Sequence, residues 1–418
     1  MSLFKNSSIY LSSNIINALV PFLLLPILTH QLLPEEYGQI AMFQTLISGL
    51  SALTGLNTIG AANRFFYDAK NDKEVAYYNG ACVQLLLLSF LILCLTAFIF
   101  HSYLSLWLNI PTSWIFLAIA ISSGNFLIQL RLGQWQIREK AFKYGILQVS
   151  QSILLFIFTL FLLLWIRQGA VSRINALTIG TFLYFLASIF SLYKDRLLNF
   201  FDFRLDYIKD SLKFGVPLIP HIIGIFFLSA IDRILINNRL GVAEAGIYMV
   251  GVQLSLGMVV FFDALNKALI PWLYRLLTVN NKSQINRLVK ITYFYFFVVL
   301  ILGVVSFWIG PVVVEWVAGA EYQKATTIIG WLCLGQAFNG MYLMVTNYLF
   351  YAKKTGKLAL VTISCGIFNI ILLVVLMSYM GIVGVAMAFA FSMLIRFLAT
   401  WWLAAKVSEI SWRLSFKT

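Results

Sequence analysis

Charge is scarce in this chain: only 11% of its 418 residues are Asp, Glu, Lys or Arg, against about 25% in a soluble domain. Together with 61% hydrophobic residues, that scarcity excludes a soluble domain of useful size and points to a multi-span membrane protein. Acids are fewer still, 16 against 30 bases, for a net charge of +14. The bases are scattered through short loops and form no continuous stripe, which argues against a nucleic-acid surface. Cysteine is rare as well. Cys82, Cys94, Cys333 and Cys365 fall within apolar runs at spacings that suit no metal site, so they read as buried small hydrophobes. His30, His101 and His221 stand alone, and a structural role outweighs a proton relay for each. A Walker loop, a dinucleotide fingerprint and a nucleophile elbow are all missing. No catalytic residue, cofactor or metal is therefore expected. Energy for any transport must come from an ion gradient, the membrane potential or the substrate's own gradient.

What the chain has is apolar runs long enough to cross a bilayer. They fall at 9–30, 38–63, 79–101, 112–134, 146–166, 175–193, 216–238, 245–268, 289–310, 326–350, 358–379 and 381–404. Twelve spans put both termini on one side. With those termini in the cytoplasm, 25 of the 30 Lys and Arg residues lie inside, and only Arg167, Arg173, Arg233, Arg239 and Lys324 lie outside. That is the bias of the positive-inside rule. Lys5 precedes the first run without a small-residue cleavage site, so this run is expected to stay as a span. Residues 194–215 carry Asp202, Arg204, Asp206, Lys209, Asp210 and Lys213 between Phe200-Phe201 and Phe214. They read as an amphipathic linker on the inner membrane surface, and 267–290 reads similarly.

A shift of 208 residues lays Leu32, Glu36 and Gly38 over Leu240, Glu244 and Gly246. The expected fold is an all-α membrane protein of about 12 transmembrane helices in two six-helix lobes, 1–200 and 201–418. A pseudo-two-fold axis along the membrane normal would relate the lobes, with a central cavity between them. Pro21, Pro26, Pro217 and Pro220 are expected to break the first helix of each lobe, as a moving gate or as a packing kink.

Asp232 and Arg233 lie sixteen and seventeen residues beyond Val216, where an apolar run begins. That is roughly 24 Å along a helix, inside a hydrocarbon core about 30 Å thick. Charges at that depth face a protein interior or a wet cavity; the alternative is that Arg233 snorkels to the surface with Asp232 as partner. Arg64 and Arg131 end the second and fourth spans, as substrate contacts or as orientation signals. Asp263 and Lys267 lie four apart on the eighth span and pair with each other or meet substrate. Amides such as Asn14 and Gln129 line a polar cavity that meets sugar hydroxyls, or tie helices together. The candidate substrate-binding set is Arg64, Arg233, Asp232, Arg131, Lys267, Asp263, Asn14 and Gln129. Its basic members suit a phosphorylated anion, because the guanidinium fork matches phosphate oxygens.

Three stretches carry a family likeness. They are Asp232-Arg233 with Leu240-Gly241, Glu244, Gly246 and Tyr248; Ala264-Leu265-Asn266-Lys267-Ala268-Leu269-Ile270-Pro271; and Gly381-Ile382-Val383-Gly384-Val385-Ala386. Pro34-Glu35-Glu36-Tyr37-Gly38 also fits. Together they resemble the polysaccharide-biosynthesis flippases of the multidrug/oligosaccharidyl-lipid/polysaccharide (MOP) exporter superfamily, with O-antigen flippases of the Wzx type the closest resemblance. The resemblance implies a transporter, not an enzyme, in a bacterial inner membrane. It would move undecaprenyl-pyrophosphate-linked repeat units to the outer leaflet by alternating access. Implied partners are the lipid-linked oligosaccharide, membrane lipids, H+ or Na+ as coupling ion, a polysaccharide polymerase and a chain-length regulator, and no nucleic acid. The resemblance carries over Arg64, Asp232 and Arg233 as a charged path. Leu24, which the repeat pairs with Asp232, supplies no matching acid. Two rivals remain. A membrane polymerase or ligase would carry a large outer loop with catalytic Arg or His, and a drug or cation exporter would favour acids in its cavity.

Overall fold

The computed structural model describes residues 2–279, 282–352, 354–407 and 412. All regular structure among them is helical. The helices are α1 (Ser2–Gln31), α2 (Pro34–Ser51), α3 (Ile59–Asp68), α4 (Asp72–Leu108), α5 (Thr112–Ile137), α6 (Ala141–Phe161) and α7 (Ala170–Lys194). They continue with α8 (Leu205–Gly215), α9 (Ile219–Ser229), α10 (Ile231–Arg239), α11 (Val242–Val279), α12 (Lys282–Val317), α13 (Thr326–Tyr351) and α14 (Thr355–Val407).

Ten helical stretches are long and apolar enough to cross a membrane, and α2 with α3 form an eleventh, bent by 51°. The last, Gly356–Val407, has 52 residues, roughly 78 Å if straight against a core of about 30 Å. It is not straight. Gly381 breaks it at φ 57°, ψ −136°, and a Cβ on Gly384 would lie 2.1 Å from the Leu376 carbonyl oxygen. A straight helix holds residues eight apart roughly 12 Å from each other. The chain therefore turns back at Gly381 and crosses twice, which brings the total to the twelve expected.

The second span departs from the expected single helix. Gly55, Leu56 and Asn57 all take left-handed φ, at 63°, 51° and 56°, and the helix restarts at Ile59. Hydroxyl side chains satisfy the backbone groups set free, as a break at membrane depth requires. The Gly55 N–H donates to Ser89 Oγ at 2.8 Å and the Thr58 hydroxyl donates to the Gly55 carbonyl at 2.7 Å. Thr54 Oγ1 donates to the Leu50 carbonyl and meets Ser122 Oγ at 2.9 Å.

The proline expectation fails in one half. α1 continues through Pro21 and Pro26, as helices in lipid tolerate when neighbours compensate. In the other half Pro217 sits in a 3-10 turn between α8 and α9. Pro220 is the second residue of α9, where a missing N–H costs nothing. A further interruption falls at Ala230, between α9 and α10. The second part of the expected amphipathic linker is α8, which buries Ser211 and Gly215, exposes Asp206, Lys209, Asp210 and Lys213, and packs on α3 and α4. Most of 267–290, expected to be similar, belongs instead to the ends of α11 and α12.

Contacts divide the chain into two compact units, 1–223 with 237–246, and 224–236 with 247–418. In the first, α5 is the central helix, packed by α2, α4, α6 and α7. Its Gly124 lets α7 approach until a Cβ there would be 2.9 Å from Thr181 Cγ2. In the second unit α13 is central, between α12 and α14. Gly330, Gly335 and Gly340 of α13 leave room for Phe307, Phe389 and Phe262. Small residues at such crossings let helices pack without a hydrophobic driving force.

The duplication is visible in the helix ends. α1 ends at Gln31 and α2 begins at Pro34, and 208 residues later α10 ends at Arg239 and α11 begins at Val242. Within the first unit the two junctions touch reciprocally. A Cβ on Gly38 would meet the Val242 carbonyl, and one on Gly246 would meet the Pro34 carbonyl. Reciprocal pairing of equivalent residues is the signature of a two-fold relation.

Candidate functional site

In the first unit, Arg64 lies on α3, one turn and a half past the break in the second span. It is exposed and lines a polar cavity of about 330 Å³ with Asp68, Tyr78, Asp210 and Lys213. Tyr78 of α4 donates to Asp210 Oδ2 of α8 at 2.8 Å, which fixes one of the two acids. Phe65 stacks on Tyr78 at 4.1 Å and meets Tyr207 edge-on at 5.2 Å, so one wall is a rigid aromatic cluster. Arg64 and Lys213 present two cations there, and Arg64 makes no ion pair among the described residues. Its guanidinium fork is free for a phosphate.

Arg131 is placed differently. It is fully buried on α5, donates from Nε to Ser191 Oγ at 2.9 Å and pairs through Nη2 with Asp195. Its guanidinium lies 4.1 Å from the centroid of Trp135. Burial raises the Asp195 carboxyl, but the hydrogen bond and charge of Arg131, with Lys143 and Lys140, hold it below its usual value. The arrangement ties α5 to the end of α7.

In the second unit, Asp232 and Arg233 are both buried. Tyr248 of α11 donates to Asp232 Oδ2 at 2.7 Å, and Asp232 Oδ1 accepts the Arg233 backbone N–H at 2.8 Å. Arg233 Nη1 lies 3.7 Å from Asp232 Oδ1 and donates to the Ser229 carbonyl. The interruption at Ala230 exposes carbonyls at the end of α9, and the guanidinium caps one of them. Its Nε is buried without a partner among the described residues. Lys267 and Asp263 form an i,i+4 pair at 2.6 Å with both side chains about half exposed.

Asn14, in the first unit, accepts from Gln148 Nε2 at 3.1 Å and joins α1 to α6. Gln129 is exposed on α5. The structure thus joins Asp232 to Arg233 and Asp263 to Lys267, and gathers Arg64 with residues absent from the candidate set. Tyr78, Asp210 and Lys213 were missed because each looks ordinary alone; the acids and bases of 205–215 were the available signal. Asp195, the partner of Arg131, had no signal beyond its place after α7.

A model of the family "Polysaccharide biosynthesis protein" matches residues 3–277. "Lsg locus putative protein 1" of Haemophilus influenzae is 28% identical over 398 residues, 92% of this chain and 95% of that protein. An uncharacterized membrane protein of the same organism is 29% identical over 367 residues, 86% of each. Among solved structures, the lipid II flippase MurJ in an inward closed conformation is similar, with TM-score 0.76, 16% identity, and 96% of this chain and 87% of that one covered. An inward-facing multidrug resistance MATE family transporter of the MOP superfamily is similar too, at TM-score 0.65 and 17% identity over 93% and 94% of the two chains. With apolar helices enough for many crossings, the fold of these solved transporters and a family match over more than half its length, this multi-pass membrane protein belongs to the polysaccharide biosynthesis protein family.

Proposed function

We propose that the protein is a flippase that carries undecaprenyl-pyrophosphate-linked O-antigen or polysaccharide repeat units from the cytoplasmic to the periplasmic leaflet of a bacterial inner membrane. It would work by alternating access of two lobes, 1–200 and 201–418, with both termini cytoplasmic. Taking a pyrophosphate through hydrocarbon unaided costs many kcal/mol of lost hydration, so the carrier must supply fixed cations along the way.

The observation that carries this reading is Arg64, exposed and without an ion pair among the described residues, beside Lys213 in a preformed polar cavity. Arg64 takes the phosphate through its fork, and Lys213 adds a point charge. Arg233 serves as a second charged station with Asp232 as its counter-ion, because its Nε is buried without a partner among the described residues. Gln129 serves as a sugar contact, and Asp263 and Lys267 as a rim pair. Arg131 and Asn14 act through the helices they hold.

The test is leaflet transfer of a labelled lipid-linked oligosaccharide in proteoliposomes, with and without H+ and Na+ gradients. Arg64→Ala is expected to slow transfer about tenfold or more, the loss of one charge-assisted contact, and Arg64→Lys to retain part of the rate. Wild-type rates in Arg64→Ala would remove this cavity from the path. Export of an organic cation without lipid transfer would favour a multidrug exporter instead.

A further inference from the structure

Two further cavities in the first unit are lined by residues other than those around Arg64. An apolar groove of about 600 Å³ runs between α4, α5 and α7, lined by residues such as Leu87, Phe90, Leu127 and Phe182. Leu198, Phe200 and Phe201 line both it and a second cavity of about 890 Å³ that holds Lys73, Lys194 and Arg196. An apolar stem and a basic mouth therefore adjoin at these shared residues.

None of the three cations makes an ion pair among the described residues. Asp72, the acid in the mouth, accepts from Arg138 at 2.7 Å, and Asp195, between Lys194 and Arg196, is held by Arg131. Arg196 has a left-handed backbone, φ 56°, a conformation that non-glycine residues keep only when the surroundings impose it. The joining segment is strapped to α4. Asn79 Nδ2 donates to the Leu197 carbonyl at 2.8 Å, Gln84 Nε2 to the Phe200 carbonyl at 2.8 Å, and the Asn199 N–H to the Ala76 carbonyl at 3.0 Å. The mouth is thus preformed, and Phe201 stands 93% exposed at its edge.

We infer that the stem and mouth together bind an anionic phospholipid of the surrounding bilayer, with an acyl chain in the groove and the phosphate on Lys73, Lys194 and Arg196. Charge complementarity selects an anionic headgroup, and the length of the apolar stem selects a lipid over a free anion. The mouth has little amide chemistry to offer a sugar. Its one side-chain amide, Asn199, already donates to Asp202 at 2.7 Å. That favours a plain phospholipid over a sugar-bearing lipid. The site is separate from the proposed transport path and stands or falls without it.

Native mass spectrometry of the full chain in detergent tests it, with phosphatidylglycerol and phosphatidylcholine of identical chains added at equal concentration. The wild-type protein is expected to retain phosphatidylglycerol about tenfold better, given the attraction of three basic residues. The triple variant Lys73→Gln, Lys194→Gln, Arg196→Gln should lose that preference while still binding lipid. Ala120→Trp, which fills the groove, should reduce retention of both lipids in protein that elutes and unfolds like wild type. Equal retention of the two lipids by wild type, or an unchanged preference in the triple variant, overturns the inference. So does full displacement of phosphatidylglycerol by equimolar polyprenyl phosphate, which would assign the groove to a transported lipid.

Discussion

Two regions related by the 208-residue repeat are built differently. The stretch from Pro34 to Asp68 is two helices joined by a left-handed break, whereas its counterpart from Val242 is one uninterrupted helix. Gly55 sits at the break, and the residue laid over it is Asp263, in mid-helix and paired with Lys267. The opposite holds one helix earlier. α1 is continuous with Leu24 and Leu25 fully buried, while the equivalent stretch is interrupted and carries Asp232 and Arg233. A repeat fixes where helices begin and end, but each copy can place its interruption, and the polar groups that interruption needs, in a different span.

The sharpest way to break this comparison is to give the second copy the first copy's leucines. Asp232→Leu alone leaves Arg233 buried without its counter-ion and is expected to lose about 3 to 5 kcal/mol in reversible unfolding. Adding Arg233→Leu, which copies Leu24-Leu25, should recover most of that loss while leaflet transfer stays impaired. A double variant as unstable as the single one would show that the charge pair is not what sets the cost.

Next in size is the anchor of the first unit's central helix. Asp195→Asn is expected to cost about 3 kcal/mol, because Arg131 is fully buried and keeps its charge. The folded-state value of Asp195 is lowered, so its contribution is complete above the unfolded value of about 3.9 and fades as pH falls through the folded one. The stability gap between wild type and Asp195→Asn should therefore be constant from pH 5 to 8, on the order of the figure above, and close in more acidic buffer. A gap that widens toward acid would contradict the ion pair.

A smaller effect tests the break itself. Gly55→Val places a branched side chain at φ 63°, where a Cβ would lie 2.2 Å from Phe126 Cε2, and is expected to cost about 2 kcal/mol or more. Asp263→Gly, the reciprocal change, should cost only about 1 kcal/mol, the penalty for glycine within a helix. It should leave α11 unbroken, since glycine permits a break without supplying the hydroxyl partners that Ser89 and Ser122 give Gly55 and Thr54. Equal costs at the two positions would mean that the difference between the copies lies elsewhere.

Much of the fold was legible in advance for a plain reason. Twelve crossings follow from apolar length alone, and even the close turn at Gly381 was marked by its glycines. The proline expectation failed in α1 because proline can stay inside a helix in lipid, whereas the break at Gly55 drew on hydroxyls 34 and 68 residues away. At the candidate site the individual charges were legible and their company was not. Arg64 and Arg131 look alike in sequence, each an arginine ending a span. One is exposed in a polar cavity and the other is sealed under Asp195 and Trp135.

Composition and periodicity determined on their own that this chain lives in a membrane, how many times it crosses and that its two halves share a plan, because burial in lipid depends on the length and polarity of each segment by itself. Which arginine stands exposed in a polar cavity, which is bound internally, and which helix breaks were decided only by tertiary structure. Those outcomes depend on partners brought from distant parts of the chain, such as Asp195 to Arg131, Tyr248 to Asp232 and Ser89 to Gly55, and no local pattern encodes them.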